Sequence, residues 1–562
     1  MRNLHRRMTT LQGEYVQNFE KARTRFFAVT MFMCLAFLIV AGRLVYLMGP
    51  TILSQPEPAV LTAENAAAPK RNNIVDRNGM LLATSLSTRS LYADPKLVDD
   101  PTGLAEELLK IFPTLDKQTL IDDLSKDRRF VWIKRHITPK QYAAVLEVGE
   151  PALSTKKEFK RFYPQGALMS HIIGYTNTDG TGIAGLEKEY NTQLTQTDQP
   201  LRLTIDVTLQ DVLRENIQSS MEEFEGIGGS GVILDVKTGA VMAMVSLPDF
   251  DPHDYATADQ NSMFNRNTVG VYEMGSTFKT FTVAAALEHE ATQLQKQYDV
   301  SEPLRYGRFR IRDYHPFKRP ISMPEVFIHS SNIGTAQMAL DTGGDALKAF
   351  YRDLGFFDRV AIDLPERGHP ILPNPWREVS TVTSSYGHGI AVSPLHVARA
   401  TAAMVNGGTL PPLHLTAEGD QADAPAVSVI SPETSNLISG LMALTVEEGT
   451  GSKAKVDGMW VGGKTGTSEK IGPGGYQKKK LYSSFIAIFP ADNPQYVILV
   501  SIDEPKGQKQ SFGYATGGWT AAPVVQKTIS YMKTAMPDLY DIRKPPFPAL
   551  QSLAAYVKED DE

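Results

Sequence analysis

A chain of 562 residues has room for three or four ordinary domains, or for one large domain with appendages. With 42% hydrophobic and 21% charged residues it has the composition of a folded protein, and a net charge of −6 without a basic stripe excludes nucleic acid as the main partner. The single cysteine, Cys34, excludes an internal disulfide and a cysteine metal cage. The eleven histidines include no His-Glu-x-x-His, so His136, His171, His315 and His388 are read as structural or surface residues.

Residues 1–25 carry Arg2, Arg6, Arg7, Lys21, Arg23 and Arg25. They are followed by "FFAVTMFMCLAFLIVAG" at 26–42, which "RLVYLM" extends to Met48. At about 1.5 Å per helical residue this run spans a hydrocarbon layer of about 30 Å. It is longer than the apolar part of a usual signal peptide, and the small-residue cluster "AAA" at 66–68 lies too far downstream for a cleavage site. Residues 49–69 hold neither Lys nor Arg, so the charge asymmetry keeps 1–25 in the cytoplasm and puts the rest outside. The expectation is a cytoplasmic tail (1–25), a single-pass anchor (26–48) and a Pro/Ala-rich linker (49–69).

Residues 70–200 mix strand-like pieces, small helices at 103–112 and 139–147, and Gly/Asp/Asn turns, the pattern of an irregular α+β module. From 201 the signal sharpens. "LRLTID" alternates as a strand, and Leu209, Val212, Leu213, Ile217, Met221 and Phe224 recur on one helical face. "SGVILDV" and "AVMAMVS" predict a hairpin through Lys237-Thr238-Gly239. Residues 482–490 and 496–503 predict two buried strands, and 522–536 a helix. A largely helical stretch lies between. Strands from both ends of 201–540 must then meet in one antiparallel sheet with helices on its faces. Residues 541–562, ending in "KEDDE", are read as a tail.

The chain holds four Ser-x-x-Lys pairs: Ser154/Lys157, Ser276/Lys279, Ser452/Lys455 and Ser530/Lys533. A serine becomes a nucleophile when a nearby base takes its proton, and residues three apart on a helix share a face. Only Ser276 stands at a predicted helix start, behind Gly275, where backbone N–H groups are free to hold an oxyanion. Lys279 can serve as base if burial or a second cation lowers its pKa. "HSSN" at 329–332 holds Ser330 and Asn332, a hydroxyl and an amide able to relay a proton and hold a carbonyl, though helix capping explains the pattern equally well. Lys-Thr-Gly occurs at 237–239, within the hairpin turn, and at 464–466, followed by Thr467. In the second copy Lys464, Thr465 and Thr467 suit a carboxylate, and Gly466 would let a ligand approach the backbone.

The order and spacing of the three clusters resemble the penicillin-binding protein and serine β-lactamase superfamily: Ser276-x-x-Lys279, Ser330-x-Asn332 after 54 residues, Lys464-Thr465-Gly466 after 188. "NNIVDRNGMLLATS", "RFYPQG", "HIIGYT" and "GIAGLEKEYN" are similar to the pedestal of class B penicillin-binding proteins. "FNRNTVGVYEMGSTFKTF" is similar to that class too, and the length with "NRNTVGVYEMGST" looks most like its division-specific branch. The resemblance implies an α+β fold, with a pedestal at 70–200 (the dimerisation-type module) and a transpeptidase domain at 201–540. It also implies a monofunctional serine D,D-transpeptidase without metal or cofactor. Ser276 would be acylated, with Lys279 as base alone or together with Ser330. Asn332 would orient the substrate amide. Lys464, Thr465, Gly466 and Thr467 would bind the substrate, and the N–H groups of Ser276 and Thr467 would form the oxyanion hole. Implied partners are peptidoglycan stem peptides ending in D-Ala-D-Ala, β-lactams, the inner membrane, a multi-spanning septal glycosyltransferase and other division proteins. An elongation-specific enzyme, a β-lactamase and a catalytically silent scaffold are the competing readings.

Overall fold

The computed structural model describes Arg23 and residues 25–43, 70–306, 309–417, 427–472, 474–536 and 547–557. The chain forms two compact units, Met1–Ala67 and Ala68–Glu562. The first contains helix α1, Arg25–Arg43, whose 19 residues are enough to cross a membrane by length and composition. Residues 44–69, expected to complete the anchor and form the linker, lie outside the described residues.

The second unit begins with a five-stranded sheet. Strand β1 (Ile74–Val75) pairs with β2 (Leu81–Ala93), which pairs with both β3 (Val131–Ile137) and β4 (Leu153–Phe162). At thirteen and ten residues, β2 and β4 are long strands, not the short pieces expected. Helices α2 (Pro101–Ile111) and α3 (Lys117–Leu124) start on Asp100 and Asp116, whose carboxylates accept the first free N–H groups. Helix α4 (Pro139–Val148) opens with a capping box of Thr138 and Gln141 and ends on left-handed Gly149. The charged run in β4 is only partly solvated: Glu158 and Arg161 are buried, and Arg161 with Arg71 grips buried Glu187. The "LRLTID" strand is just β5, Leu201–Arg202, and it completes the first sheet beside β1. The first residues of the expected transpeptidase domain therefore pair with the sheet of the expected pedestal.

Helix α5 (Val207–Glu223) leads to the hairpin β6 (Gly228–Asp235) and β7 (Val241–Leu247). The helical stretch includes α6 (Lys279–Glu288), α7 (Met323–Ile328), α8 (Asn332–Thr342), α9 (Pro394–Val405) and α10 (Pro432–Glu447). Strands β8 (Gly462–Gly472), β9 (Gly475–Phe489) and β10 (Tyr496–Asp503) then return, followed by α11 (Ala522–Ala535). The second sheet has the order β8-β9-β10-β6-β7, antiparallel throughout. Strands β7 and β10 and the inner end of β9 read as apolar runs because both faces are covered there. Along β9, Phe485, Ala487 and Phe489 pack with residues of α5 and α11, while Ile486 and Ile488 join the helical core on the other side. This sheet between helical layers confirms the α+β class.

The expected tail is partly folded. Helix α12, Pro548–Ala554, buries Leu550 and Leu553, and Ser322 Oγ at the start of α7 donates to the Tyr556 carbonyl at 2.8 Å. Its apolar residues are too few to announce a helix by period, and they find their partner in α10, distant in sequence.

Candidate active site

Ser276 lies in a single 3-10 turn, Gly275–Phe278, that runs into α6. Gly275 has φ +55°, and a Cβ there would lie 2.6 Å from the Thr467 carbonyl oxygen. Only glycine lets the serine turn adopt this conformation and lie against β8. Helix α6 is buried on every face from Lys279 to Ala286, and Lys279 is the one charged residue in that span. That lysine is fully buried, and its Nζ donates to the Ser330 carbonyl (2.5 Å), Ser330 Oγ (3.1 Å) and Asn332 Oδ1 (2.7 Å).

Ser330 and Asn332 occupy the junction of α7 and α8. Ser330 is left-handed, with φ 62°, a conformation rare for serine and frequent at functional sites. Asp313 fixes the junction: its Oδ1 accepts from the N–H groups of Asn332 (2.6 Å) and Ile333 (3.0 Å), and its Oδ2 from Ser331 Oγ (2.6 Å). Asn332 Nδ2 donates to the Arg312 carbonyl at 3.0 Å, which orients the amide so that Oδ1 faces Lys279.

Strand β8 supplies the third cluster by its two-residue alternation. Thr465 and Thr467 are half-buried and line a cleft of about 1110 Å³ that Ser276, Ser330 and Asn332 also line. Lys464 is fully buried beneath this wall, and its Nζ donates to Ser330 Oγ at 2.9 Å. The Ser330 hydroxyl thus accepts from two lysines that lie 185 residues apart in sequence. Gly466 differs from its expected role. It does not line the cleft, and a Cβ there would meet the Met274 carbonyl oxygen at 2.7 Å and Ser484 Oγ at 2.4 Å. Its missing side chain admits the protein's own serine turn, not a ligand.

Burial sets the electrostatics. Lys279 is held well below the ordinary lysine range, first by desolvation and then by the Lys464 charge, with Asp313 opposing. Burial also pushes Lys464 down to about 7. Burial thus favours the neutral form of both ammonium groups.

Sequence reasoning missed several cleft residues. His315 and His388, read as structural or surface residues, line the cleft, and burial with the nearby Lys279 charge lowers His388 to about 4. Glu273 accepts from Gly389 N–H at 2.8 Å and from Tyr476 OH at 3.0 Å, tying the serine turn to the loop at 385–391 and to β9. Neither Asp313 nor Glu273 has a local pattern that could have marked it. Of the remaining Ser-x-x-Lys pairs, Ser154 lies in β4 and Ser530 within α11, while Ser452 lines the cleft from a short 3-10 turn, but its Lys455 pairs with Glu447.

Residues 229–530 match the penicillin binding protein transpeptidase domain, and residues 66–220 the penicillin-binding protein dimerisation domain. A probable peptidoglycan D,D-transpeptidase FtsI of Caulobacter vibrioides is 36% identical over 472 residues, covering 82% of this chain and 80% of the relative. A probable peptidoglycan D,D-transpeptidase PenA of Neisseria gonorrhoeae is 31% identical over 535 residues, covering 89% of this chain and 90% of the relative. Among solved structures, a peptidoglycan synthetase from Bifidobacterium adolescentis gives a TM-score of 0.68 at 21% identity, over 86% of this chain and 98% of that one. Penicillin binding protein 3 of Mycobacterium tuberculosis complexed with aztreonam gives 0.67 at 22% identity, over 86% of this chain and 99% of that one. These two structures bear on the fold alone. With both domain matches in sequence order and 36% identity to an FtsI relative across 82% of its length, the chain belongs to the class B penicillin-binding proteins, of the FtsI type.

Proposed function

We propose that the protein is a membrane-anchored peptidoglycan D,D-transpeptidase of the division septum, acting through a Ser276 acyl-enzyme. The observation that carries this reading is the pair of buried lysines from separate segments sharing the Ser330 hydroxyl in the cleft that Ser276 lines.

Ser276 Oγ attacks the carbonyl of the penultimate D-alanine in a stem peptide, and its proton passes to neutral Lys279, directly or through Ser330. The N–H groups of Ser276 and Thr467 hold the tetrahedral oxyanion. The peptide C–N bond breaks, and the terminal D-alanine leaves as an amine carrying the proton returned by Lys279 and Ser330. Lys464, Thr465 and Thr467 bind its carboxylate, and Asn332 holds the peptide amide. An amine of a second stem then attacks the acyl carbonyl, forming the cross-link and restoring the serine. A β-lactam acylates Ser276 by the same route, opening its ring.

The domain reading that accompanies this function is a cytoplasmic tail (1–25), the anchor, a linker, a pedestal (70–200), a transpeptidase domain (201–540) and a C-terminal segment. The basic flank of α1 supports a cytoplasmic N-terminus, with the body on the outer face of the inner membrane. A multi-spanning septal glycosyltransferase and other division proteins are the proposed partners, on the strength of the division-type relationship.

Covalent labelling of the full chain by a fluorescent penicillin tests the site. Wild type becomes labelled and Ser276→Ala does not. Labelling that survives in Ser276→Ala removes Ser276 as nucleophile, and rapid hydrolysis of the wild-type adduct converts the reading to a β-lactamase.

A further inference from the structure

The ladder between β8 and β9 is interrupted at one place. Glu469 pairs with Leu481, but the next residue, Lys470, pairs with Gln477. Three consecutive residues of β9, Lys478, Lys479 and Lys480, therefore have no partner on β8. A bulge of this kind re-aims side chains that regular pairing would fix. Here it carries three cations, and Lys478 and Lys479 line the same cleft as Ser276.

Three adjacent ammonium groups repel one another, and the surroundings compensate only one. Lys480 lies 3.5 Å from Glu504, which also pairs with Lys470 at 2.9 Å. Neither Lys478 nor Lys479 has an ion-pair partner among the described residues. The other lysines of the cleft are engaged: Lys453 lies over the Trp519 ring at 3.9 Å, and Lys506 pairs with Glu225 at 2.9 Å. Against these four lysines the cleft presents, among the described residues, a single carboxylate, Glu469. This cationic wall stands in a chain whose net charge is −6. Solvated lysines are ordinary on a free surface, but these two line the cleft at the point where the pairing is interrupted.

We propose that Lys478 and Lys479 form an anion-recognising rim that engages a free carboxylate of a peptide strand in the cleft, at a position other than the terminal carboxylate assigned to Lys464. This proposal rests on the transpeptidase reading and adds a specificity determinant to it. The carboxylate has two possible sources, the donor strand that acylates Ser276 and the acceptor strand that accepts the acyl group.

The test uses the full chain in detergent, the K478Q/K479Q double variant, and two synthetic peptides ending in D-alanyl-D-alanine. One peptide carries a free side-chain carboxylate ahead of the alanine pair, and the other the corresponding carboxamide. Each peptide is first scored by how far it slows fluorescent-penicillin labelling, which requires occupancy of the cleft and not turnover. Wild type is expected to favour the carboxylate peptide by about three- to tenfold, less at high salt, with the preference abolished in the double variant. Penicillin labelling of the double variant without peptide shows that it is folded, and each protein's peptide scores are taken relative to its own peptide-free rate.

A preference in this competition assigns the donor strand. A preference confined to the yield of acyl transfer, with the carboxylate placed on the amine-bearing peptide, assigns the acceptor strand. Equal treatment of carboxylate and carboxamide by wild type in both measurements overturns the rim, as does a preference that survives K478Q/K479Q. Failure of D-alanine release with a preference intact sinks the transpeptidase reading and leaves the rim standing. Failure of wild type to react with penicillin at all overturns both.

Discussion

Ser330 combines a strained backbone with a shared hydroxyl, and the two can be separated. Glycine tolerates its φ of 62° and lacks the hydroxyl. Ser330→Gly is therefore expected to keep stability within about 1 kcal/mol of wild type. Penicillin acylation should nevertheless fall by about 10²–10⁴ as the proton relay is lost. Stopped-flow labelling beside urea unfolding checks both halves, and acylation at the wild-type rate would exclude Ser330 from the relay. The two lysines give a second residue-level prediction. Deprotonation of Lys279 raises the second-order acylation constant with pH, on a limb that burial and the Lys464 charge move well below the ordinary lysine range. Lys464 must stay charged to hold a carboxylate, so a falling limb is expected above about 7, where burial has placed it. Because the two ammonium groups interact through one hydroxyl, both limbs belong to the pair. A penicillin methyl ester, without the carboxylate, should keep the rising limb and lose the falling one. An identical fall for acid and ester would remove Lys464 from carboxylate recognition. Ser276, Lys279, Ser330 and Lys464 were legible because short motifs carry them in order. Asp313 was not, because its carboxylate reaches the first N–H groups of α8 only after the chain folds back.

Among the elements, the β8–β9 hairpin is held at its outer end by Tyr476 OH donating to both oxygens of Glu273 at 3.0 Å. Tyr476 is about half exposed, so Tyr476→Phe should cost only about 1 kcal/mol in urea unfolding, while loosening the hairpin enough to slow acylation measurably. An unchanged acylation rate would make the contact purely structural. At the other end of the chain, α12 depends on its apolar anchors. Leu553 is fully buried, and Leu553→Ala is expected to destabilise the protein by about 2–5 kcal/mol, read from the shift of the urea midpoint. A negligible shift would mean that α12 contributes little to the body. Sequence periodicity found α5, the β6–β7 hairpin, β10 and α11 because each presents either one apolar face or an unbroken apolar run. It underrated β2 and β4, where buried polar residues find partners in the fold, Ser90 of β2 on Glu158 and Arg161 of β4 on Glu187. It also could not show the bulge in β9, which depends on the register of a partner strand.

Over the whole molecule, the division into Met1–Ala67 and Ala68–Glu562 separates attachment from chemistry. A chain starting at residue 68 is expected to leave the membrane fraction and to react with fluorescent penicillin at the full-length rate. Loss of labelling on truncation would give the N-terminal unit a part in shaping the site.

The site itself is assembled from 276–279, 330–332 and 464–467, stretches that meet only in the completed fold. No fragment holding one or two of them has the pair of lysines around a common hydroxyl. Covalent capture by penicillin is therefore a census of native molecules. A brief exposure at each step of a urea gradient, quenched and counted on a gel, reports the surviving folded fraction in a crude membrane extract, without purification and without any optical probe of the protein.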